Sequence, residues 1–581
     1  MLCPEIGSAG SPSANLAPCL PTPSMEDPPD QALDPNSIPS ETDLPKIQND
    51  IKSHKELVAR LDEEIKVMRH ALEELERRRA DHLETIRKRE TLLAPIHRLP
   101  ADILSSIFLV CTSNDPRPST TPASNLNSNN PAVILSHVSR RWRDIALDTH
   151  FLWTTIRLAP PSYPEPGNWS GPRGVRTEAY RNEYSSRCIK WGKTMDYLER
   201  ALPVWIERSA TCPLEITFQF TENFSAFSPQ GPVPLGDLTE FVHGRVKAFV
   251  DTLCACSDRW KEVNFDILIE TSNSPLIRLP RVRAENVPIL EKLTLTVLFD
   301  RYGGGGSLAT TETCHTFFTT TSILAGQSLR RLKLPRIWVE FKCVPVVWHR
   351  LTELELAGYV NLDFSQTLSF TTAVAVTLLK ECRNLQRCSL ILEPDPMGLS
   401  EDTHQPGSIF LPALQHLALA GLGPLPSFAH ALVLPSLTSL SITSHYYDMP
   451  VNETIATLLI KSYGHQLQEV ILNYGSLSPS AFESCLQALP YVTCLSLICD
   501  TRFDNSTGEP TIGEDGTISW GPIRPFSAKV LRTMTPSSID GTCYCPKLKV
   551  FRCAPNGWDF DDVNLMEFIA GRRRSNHDVA R

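Results

Sequence analysis

The sequence lacks the features that send a chain to or through a membrane. No stretch approaches the run of about 18 apolar residues that a membrane-spanning helix needs, and no basic region followed by an apolar run opens the chain. Basic residues are not in excess either, since the net charge is −9 and the pI is about 6.0. Because phosphate binding needs a basic surface, we expect neither nucleic acid nor a membrane as partner. We expect a cytoplasmic or nuclear location, or both, with mostly reduced cysteines.

Patterns typical of catalysis or metal binding are also missing. The Gly-rich segment RYGGGGSL (301–308) lacks the Lys-Ser/Thr pair of a phosphate-binding loop. The cysteines of CAC (254–256) and CYC (543–545) lack the paired spacing of zinc ligands. We therefore predict a protein that is not an enzyme, with no catalytic, metal-binding or cofactor-binding residues and no cofactor. The enzyme alternative, a hydrolase in the second half of the chain, requires a cleft that groups His with Ser or Cys and a carboxylate.

The distribution of Pro and Gly divides the N-terminal part of the chain. Residues 1–45 contain ten Pro and few large apolar side chains, which predicts a disordered tail. Residues 46–93 contain neither Pro nor Gly and are dense in charge, which predicts one long charged helix. At the other end, residues 570–581 are predicted to form a loose basic tail.

The long helix carries apolar residues in a heptad register. One row contains Ile51, Val58, Ile65, Leu72, Ile86 and Leu93, and the companion row contains Ile47, Leu61, Met68 and Leu75. A narrow apolar seam of this kind must be buried against a partner. Three alternatives stay open: self-association of residues 47–93 in a parallel coiled coil, packing along the downstream domain of the same chain, or a solitary charged helix.

A short apolar segment follows, predicted as a helical domain over 94–158. A helix is expected from Ala101 to about Cys111, and the polar residues 112–131 are expected to form a solvated inserted loop. One further helical face is predicted from Ile134, Leu135, Val138, Trp142, Ile145 and Ala146. The segment is either the core of a small helical domain or a helix that docks on another protein.

The second half of the chain contains a repeated pattern. Copies of L-x-x-L-x-L begin at Leu290, Leu329, Leu351, Leu385, Leu414, Leu437, Leu467 and, as VTCLSL, at Val492, with weaker copies at Trp260 and Leu548. The pattern resembles the leucine-rich repeat, in which each copy supplies one strand of a parallel sheet. Irregular intervals, and the absence of the usual Asn from most copies, predict an irregular α/β solenoid over 159–569, entered through a loop over 159–186. A non-repeating α/β domain with buried parallel strands is the alternative.

The helical segment resembles an F-box. Its apolar, Leu-Pro, acidic and paired apolar positions are Ile96, Leu99-Pro100, Asp102, Ile103-Leu104 and Ile107-Phe108, followed by Val138, Trp142-Arg143, Ile145-Ala146 and Leu152-Trp153. With the long helix and the degenerate repeats, the chain is similar to the large F-box protein families of mushroom-forming fungi. The insertion and Ser139, where Cys is frequent, depart from the family pattern.

The resemblance implies a three-helix unit that binds a Skp-family adaptor and, through it, a cullin-RING ubiquitin ligase. The implied adaptor-binding residues are Ile96, Leu99, Pro100, Ile103, Leu104, Ile107, Phe108, Val138, Trp142, Leu152 and Trp153. The repeat domain would then receive an unknown protein substrate. The alternative function is a scaffold or sensor unrelated to ubiquitin, which uses the coiled coil and the repeats for protein–protein interaction.

Overall fold

We describe the protein from a computed structural model. The structure describes residues 40–93, 95–113, 124–165, 178–224, 235–299, 316–337, 343–358, 370–392, 408–421, 426–443, 455–474, 477–498, 511–512, 518–519, 526–536, 543–554, 558–559 and 561–578. Most of the predicted N-terminal tail and the Gly-rich segment at 301–308 lie outside these ranges. The chain divides into two compact units, Met1–Leu99 and Pro100–Arg581.

The described part of the first unit is mainly one helix, α1 (Leu44–Leu93), followed by a short 3-10 turn (Pro95–Arg98). With 50 residues, α1 is about 75 Å long at the usual rise per residue. The prediction of a long N-terminal helix is confirmed. The residues of its apolar seam are exposed except Ile47, which is half-buried, and whether the seam pairs with anything stays a prediction.

The second unit begins with helices and continues as a mixed α/β structure. Its helices are α2 (Ala101–Ser113), α3 (Pro131–Val138), α4 (Arg140–Asp148), α5 (Glu178–Arg208), α6 (Leu235–Ala255), α7 (Thr372–Glu381), α8 (Pro426–Ala431), α9 (Ile455–Tyr463), α10 (Pro479–Gln487), α11 (Ala528–Thr533) and α12 (Asp562–Asp578). The predicted loop over 159–186 is wrong at its end, because α5 already begins at Glu178.

Twelve strands form one parallel sheet in nearly sequential order. They are β1 (Thr155–Leu158), β2 (Leu214–Thr221), β3 (Trp260–Ile269), β4 (Lys292–Phe299), β5 (Arg331–Ile337), β6 (Glu353–Gly358), β7 (Arg387–Leu392), β9 (His416–Gly421), β11 (Ser439–Ile442), β12 (Glu469–Asn473), β13 (Cys494–Ile498) and β17 (Val550–Ala554). The short strands β8 (Ile409–Phe410) and β10 (Leu432–Val433) pair with each other, as do β14 (Thr511–Ile512) with β15 (Ile518–Ser519), and β16 (Phe526–Ser527) with β18 (Trp558–Asp559).

The L-x-x-L-x-L copies explain the register of this sheet. Their middle apolar positions align across the strands in one column, which Ile156 of β1 and Ile216 of β2 extend. The positions from the copies are Val263, Leu293, Leu332, Leu354, Cys388, Leu417, Leu440, Val470, Leu495 and Phe551, so twelve residues form the column. All but the last are buried, and burying one such side chain contributes roughly 1.5–3 kcal/mol. Residues that alternate with them are partly exposed, so only one face of the sheet is covered.

The copies therefore form a parallel sheet, as predicted. Crossovers between parallel strands of one sheet are almost always right-handed. Because the strands of this sheet follow one another in chain order, such crossovers place the connections on one face of the sheet. The classification as a leucine-rich-repeat solenoid stays a prediction. The strand β1, which sequence analysis assigned to the helical domain ending at residue 158, is the first strand of the sheet and pairs with β2.

The C-terminal basic segment is helical and partly buried, so the predicted loose tail over 570–581 is wrong for its described part. Helix α12 extends to Asp578, and the guanidinium of Arg572 donates to the carbonyl oxygens of Tyr544 and Cys545, each at 2.8 Å, and to that of Met534. Burial lowers the pKa of Arg572 from its ordinary value. A guanidinium offers five N–H donors, which is why this cation can be buried against backbone carbonyls.

Candidate functional site

Helix α2 packs one of its faces into the core of the helical region. Leu104 and Phe108, one turn apart, are fully buried. The ring of Phe108 lies 4.9 Å from that of Trp142 on α4, centroid to centroid. Nearby, the hydroxyl of Thr149, just after α4, donates to Ser105 Oγ at 3.0 Å. These contacts fix α2 against α4 and give Leu104, Phe108 and Trp142 a role in holding the unit together.

The same helix carries a second apolar stripe that no described residue of this unit covers fully. Ile103 is 44% exposed, Ile107 37% and Val110 59%. Residues at positions i, i+4 and i+7 share one side of a helix, so the three side chains form one row beside the buried face. Sequence analysis singled out the first two but missed Val110, although its spacing already indicated the row.

The chain breaks between α3, which ends at Val138, and α4, which begins at Arg140. The prediction of one continuous apolar face from Ile134 to Ala146 is therefore wrong. Ser139 is extended and caps α4, its hydroxyl accepting a hydrogen bond from Trp142 N at 3.1 Å. The break changes the direction of the side chains that precede it. Val138 and Ile134 are therefore more than half exposed, and Val138 lies outside the buried part of the helical region.

Leu152 and Trp153 are buried, and they join the helices to the rest of the unit. Trp153 Nε1 donates to the carbonyl oxygen of Ala146 at 2.8 Å. The ring of Trp153 meets that of Trp205 on α5 edge to face, at 4.9 Å between centroids, while the guanidinium of Arg208 lies 4.5 Å above it. Sequence analysis missed both α5 residues, because nothing in their local pattern indicates this long-range contact.

The predicted solvated loop over 112–131 is wrong for residues 124–130, which the structure describes. Leu126 is fully buried. Asn125 N donates to Arg157 O at 3.0 Å, Arg157 N donates to Asn125 Oδ1 at 2.8 Å, and Asn125 Nδ2 donates to Thr155 O at 2.9 Å. These bonds satisfy backbone N–H and C=O groups on the outer edge of β1. Without them, the edge strand would expose unpaired groups that could pair with a strand of another chain. Asn130 then caps α3 through Ala132 N.

The remaining predicted site residues precede α2. Ile96 belongs to the 3-10 turn of the first unit, and Leu99 N donates to its carbonyl oxygen at 3.4 Å. Pro100 is exposed and opens the second unit. Its carbonyl oxygen accepts a hydrogen bond from Leu104 N at 3.1 Å, so this residue starts α2.

A second candidate surface is the uncovered face of the sheet between β4 and β11. It forms an open depression of about 300 Å³. Its charged side chains pair across strands: Lys292 Nζ lies 3.2 Å from Glu262, Arg331 lies 2.7 Å from the same carboxylate, and Arg387 lies 3.7 Å from Glu353. Partly exposed pairs of this kind contribute little to stability, roughly 0–1 kcal/mol each, so they define a charge pattern more than they hold the fold.

Two groups on this face have shifted pKa values. Burial acts to raise the pKa of Glu262, but hydrogen bonds and charge from Lys292 and Arg331 outweigh it and keep that pKa below its ordinary value. Burial and the charge of Arg387 lower the pKa of His416, against the opposing effect of nearby carboxylates. A neutral His416 and an ionised Glu262 are therefore the favoured forms near neutral pH.

The fold and the exposed α2 stripe describe a helical protein-interaction module fused to a parallel sheet. A family model described as F-box-like matches residues 96–159, about a tenth of the chain. This F-box-like domain supports an F-box protein with a role in protein–protein interaction. The match does not reach the long helix or most of the sheet, so the coiled coil, the leucine-rich repeats and a fungal origin stay predictions.

Comparison with curated proteins finds no match to the chain. In the described parts of the chain, no helix combines the length and apolarity that a membrane span requires. Within the same residues, no group of three or more His, Cys, Asp and Glu side chains is arranged to hold a metal ion.

Proposed function

We propose that the protein is a non-enzymatic substrate-recognition subunit of a Skp-cullin-F-box ubiquitin ligase. The F-box-like domain binds a Skp-family adaptor, and the sheet domain, as a leucine-rich-repeat-like receptor, binds a protein substrate. Its mechanism is recruitment, which raises the effective concentration of the substrate near the ubiquitin carrier. In this proposal, recruitment of the substrate takes place in the cytoplasm, the nucleus or both.

One observation carries this proposal: α2 has an exposed apolar stripe next to a fully buried one. A helix that only belongs to a small core needs one apolar face. Exposed apolar rows of this kind mark interaction sites. The stripe formed by Ile103, Ile107 and Val110 is therefore proposed as a docking surface, and Leu99 and Pro100 stay predicted adaptor-binding residues.

The predicted adaptor-binding residues then divide into two groups by burial. Ile103, Ile107 and Val138 are exposed enough to touch the adaptor. The buried residues support the docking surface from behind: Leu104, Phe108, Leu152 and Trp153. Trp142, half-buried against Phe108, belongs with this second group.

The substrate surface is proposed on the uncovered face of the sheet. The x positions of the repeat copies place both signs of charge there, with Lys333 beside Glu355 at 2.5 Å and Arg387 beside Glu353. Such alternating charges give an interface its register and its selectivity. A protein partner of matching charge pattern fits this face.

The test is direct binding of the purified full chain to a purified Skp-family adaptor, measured by calorimetry. Wild type is expected to bind, and Leu99→Ala/Pro100→Ala is expected to weaken binding while the thermal unfolding of the sheet domain stays unchanged. Val563→Ala, at an exposed apolar residue of α12, is the control and should bind like wild type. Absence of wild-type binding, or equal binding by the double variant, would remove the main support for a ligase role and favour the scaffold alternative.

A further inference from the structure

The long helix α1 leaves its apolar seam uncovered over three and a half heptads. With Ile51 at position a, the apolar a residues are Ile51, Val58, Ile65 and Leu72, and the apolar d residues are Leu61, Met68 and Leu75, while His54 is a polar d residue within this stretch. The seven apolar residues are between 42% and 62% exposed. Apolar a and d positions over three to four heptads are the signature of a coiled coil.

We propose that α1 pairs with the α1 of a second copy of this chain, parallel and in register, over residues 51–75. The residue types at the seam favour two strands. β-branched side chains occupy three of the four a positions, and Leu or Met, which are not branched at Cβ, occupy the three d positions after His54. This combination selects parallel dimers over trimers and tetramers.

The flanking charges match a second copy in the same orientation. In a parallel dimer, each g residue faces the e residue five positions later in the partner helix. These pairs are Asp50 with Lys55 and Glu64 with Arg69, and each pair of opposite charges occurs twice in the dimer, once in each direction between the helices. The g and e positions between them are Leu57 and Asp62, which do not repel each other.

The seam has a defined end, which sets the length of the pairing. After Leu75 the next a residue is Arg79 and the next two d residues are His82 and Arg89. In a parallel pair each of these would face its own copy, which places like or readily protonated groups together. Three of the four a and d residues from 79 to 89 are polar in this way, whereas His54 is a single polar d residue between the apolar Ile51 and Val58. The two helices are therefore held together before residue 79 and separate beyond it.

The consequence is a bivalent particle that carries two F-box-like domains and two sheet domains. Two linked copies bind a multivalent partner more tightly than one copy, because the second contact forms at a high effective concentration. This inference does not depend on which protein the F-box-like domain binds.

The first experiment measures the mass of the full chain by light scattering and sedimentation across a concentration series. Wild type is expected to be dimeric, and Ile65→Glu is expected to raise the dimer Kd by at least about a hundredfold, because it places two buried charges against each other. Val67→Glu is the matched control: the side chain is equally apolar and 61% exposed, but it lies off the seam and should leave the dimer intact. Circular dichroism is the control measurement, and both variants are expected to keep the helix.

A charge-exchange cycle tests the orientation. Glu64→Arg and Arg69→Glu alone should each weaken the dimer severalfold, and the two together should restore it, because only a parallel pair places these residues opposite each other. A monomeric wild type, a trimer, a dimer unaffected by Ile65→Glu, or no restoration by the double exchange would each overturn the proposal. A monomer in which Ile65→Glu lowers the stability of the fold would instead show that α1 packs on its own chain.

Discussion

The exposed stripe and the buried stripe of α2 respond differently to the same kind of change. We expect Ile103→Ala/Ile107→Ala to weaken adaptor binding without unfolding the helical region. Fully burying an Ile side chain is worth roughly 1.5–3 kcal/mol. Ile103 is 44% exposed and Ile107 37%. Burying the exposed part of either side chain on docking therefore contributes about 0.6–1.3 kcal/mol of binding free energy. Together they predict a Kd that rises roughly sevenfold to sixtyfold.

The assay pairs adaptor titration by calorimetry with urea unfolding followed by Trp fluorescence. The comparison variant is Leu104→Ala, since Leu104 is fully buried and its truncation should cost about 2–5 kcal/mol of unfolding free energy. The exposed double variant should cost far less stability than this. If it destabilises the unit as much as Leu104→Ala, or binds the adaptor with wild-type affinity, the assignment of the stripe to docking is refuted.

Three further changes test other parts of the structure. Trp153→Ala should lower the unfolding free energy by about 3–5 kcal/mol in urea, because it removes the contact between the helical region and α5. Arg572→Met should lower it by about 2–4 kcal/mol, because four backbone carbonyls lose their donor, and a variant as stable as wild type would contradict the burial of Arg572. Burial raises the pKa of Cys254 to about 11, and only the thiolate reacts. Iodoacetamide at pH 8 should therefore label exposed Cys111 first, with Cys254 labelling increasing as the pH rises toward 11; peptide mass spectrometry measures both.

The strands were predictable because a short local pattern, L-x-x-L-x-L, marks the buried residues of each strand. In the copy at Leu290, the first Leu and the two strand residues Leu293 and Leu295 are all fully buried. The same three positions recur in every full copy, so the register of neighbouring strands follows from the alignment of the copies. Helix α2 was predictable for the same reason, since its apolar spacing and its start after Pro100 are both local signals.

The errors came from residues whose partners lie far away in the sequence. The Asn-rich segment was interpreted as solvated because its side chains are polar, yet Asn125 bonds the edge of β1 some thirty residues later. The basic tail was interpreted as loose because three consecutive Arg are costly to bury, and Arg572 avoids that cost only through carbonyl oxygens of another segment. Hydrophobic periodicity carries no information about such pairings.

The break between α3 and α4 was a different kind of error, because a local signal was available. The apolar spacing from Ile134 to Ala146 is compatible with one helix, and the prediction followed this spacing although Ser139 interrupts it. Ser at position 139 is a favoured helix N-cap, and its bond to Trp142 N starts a new helix there. Here the cap at Ser139 ends the continuity that the apolar spacing alone indicates.

The helical region is not a separate module joined to the sheet by a linker. β1 pairs with β2 directly after the helices, Asn125 closes the outer edge of β1, and Trp153 packs on Trp205 of α5. These contacts come from three different segments, so local opening of one leaves the other two in place. The α2 stripe and the uncovered face of the sheet therefore belong to the same compact unit, Pro100–Arg581. In the proposed function, the adaptor and the substrate would then bind one and the same unit.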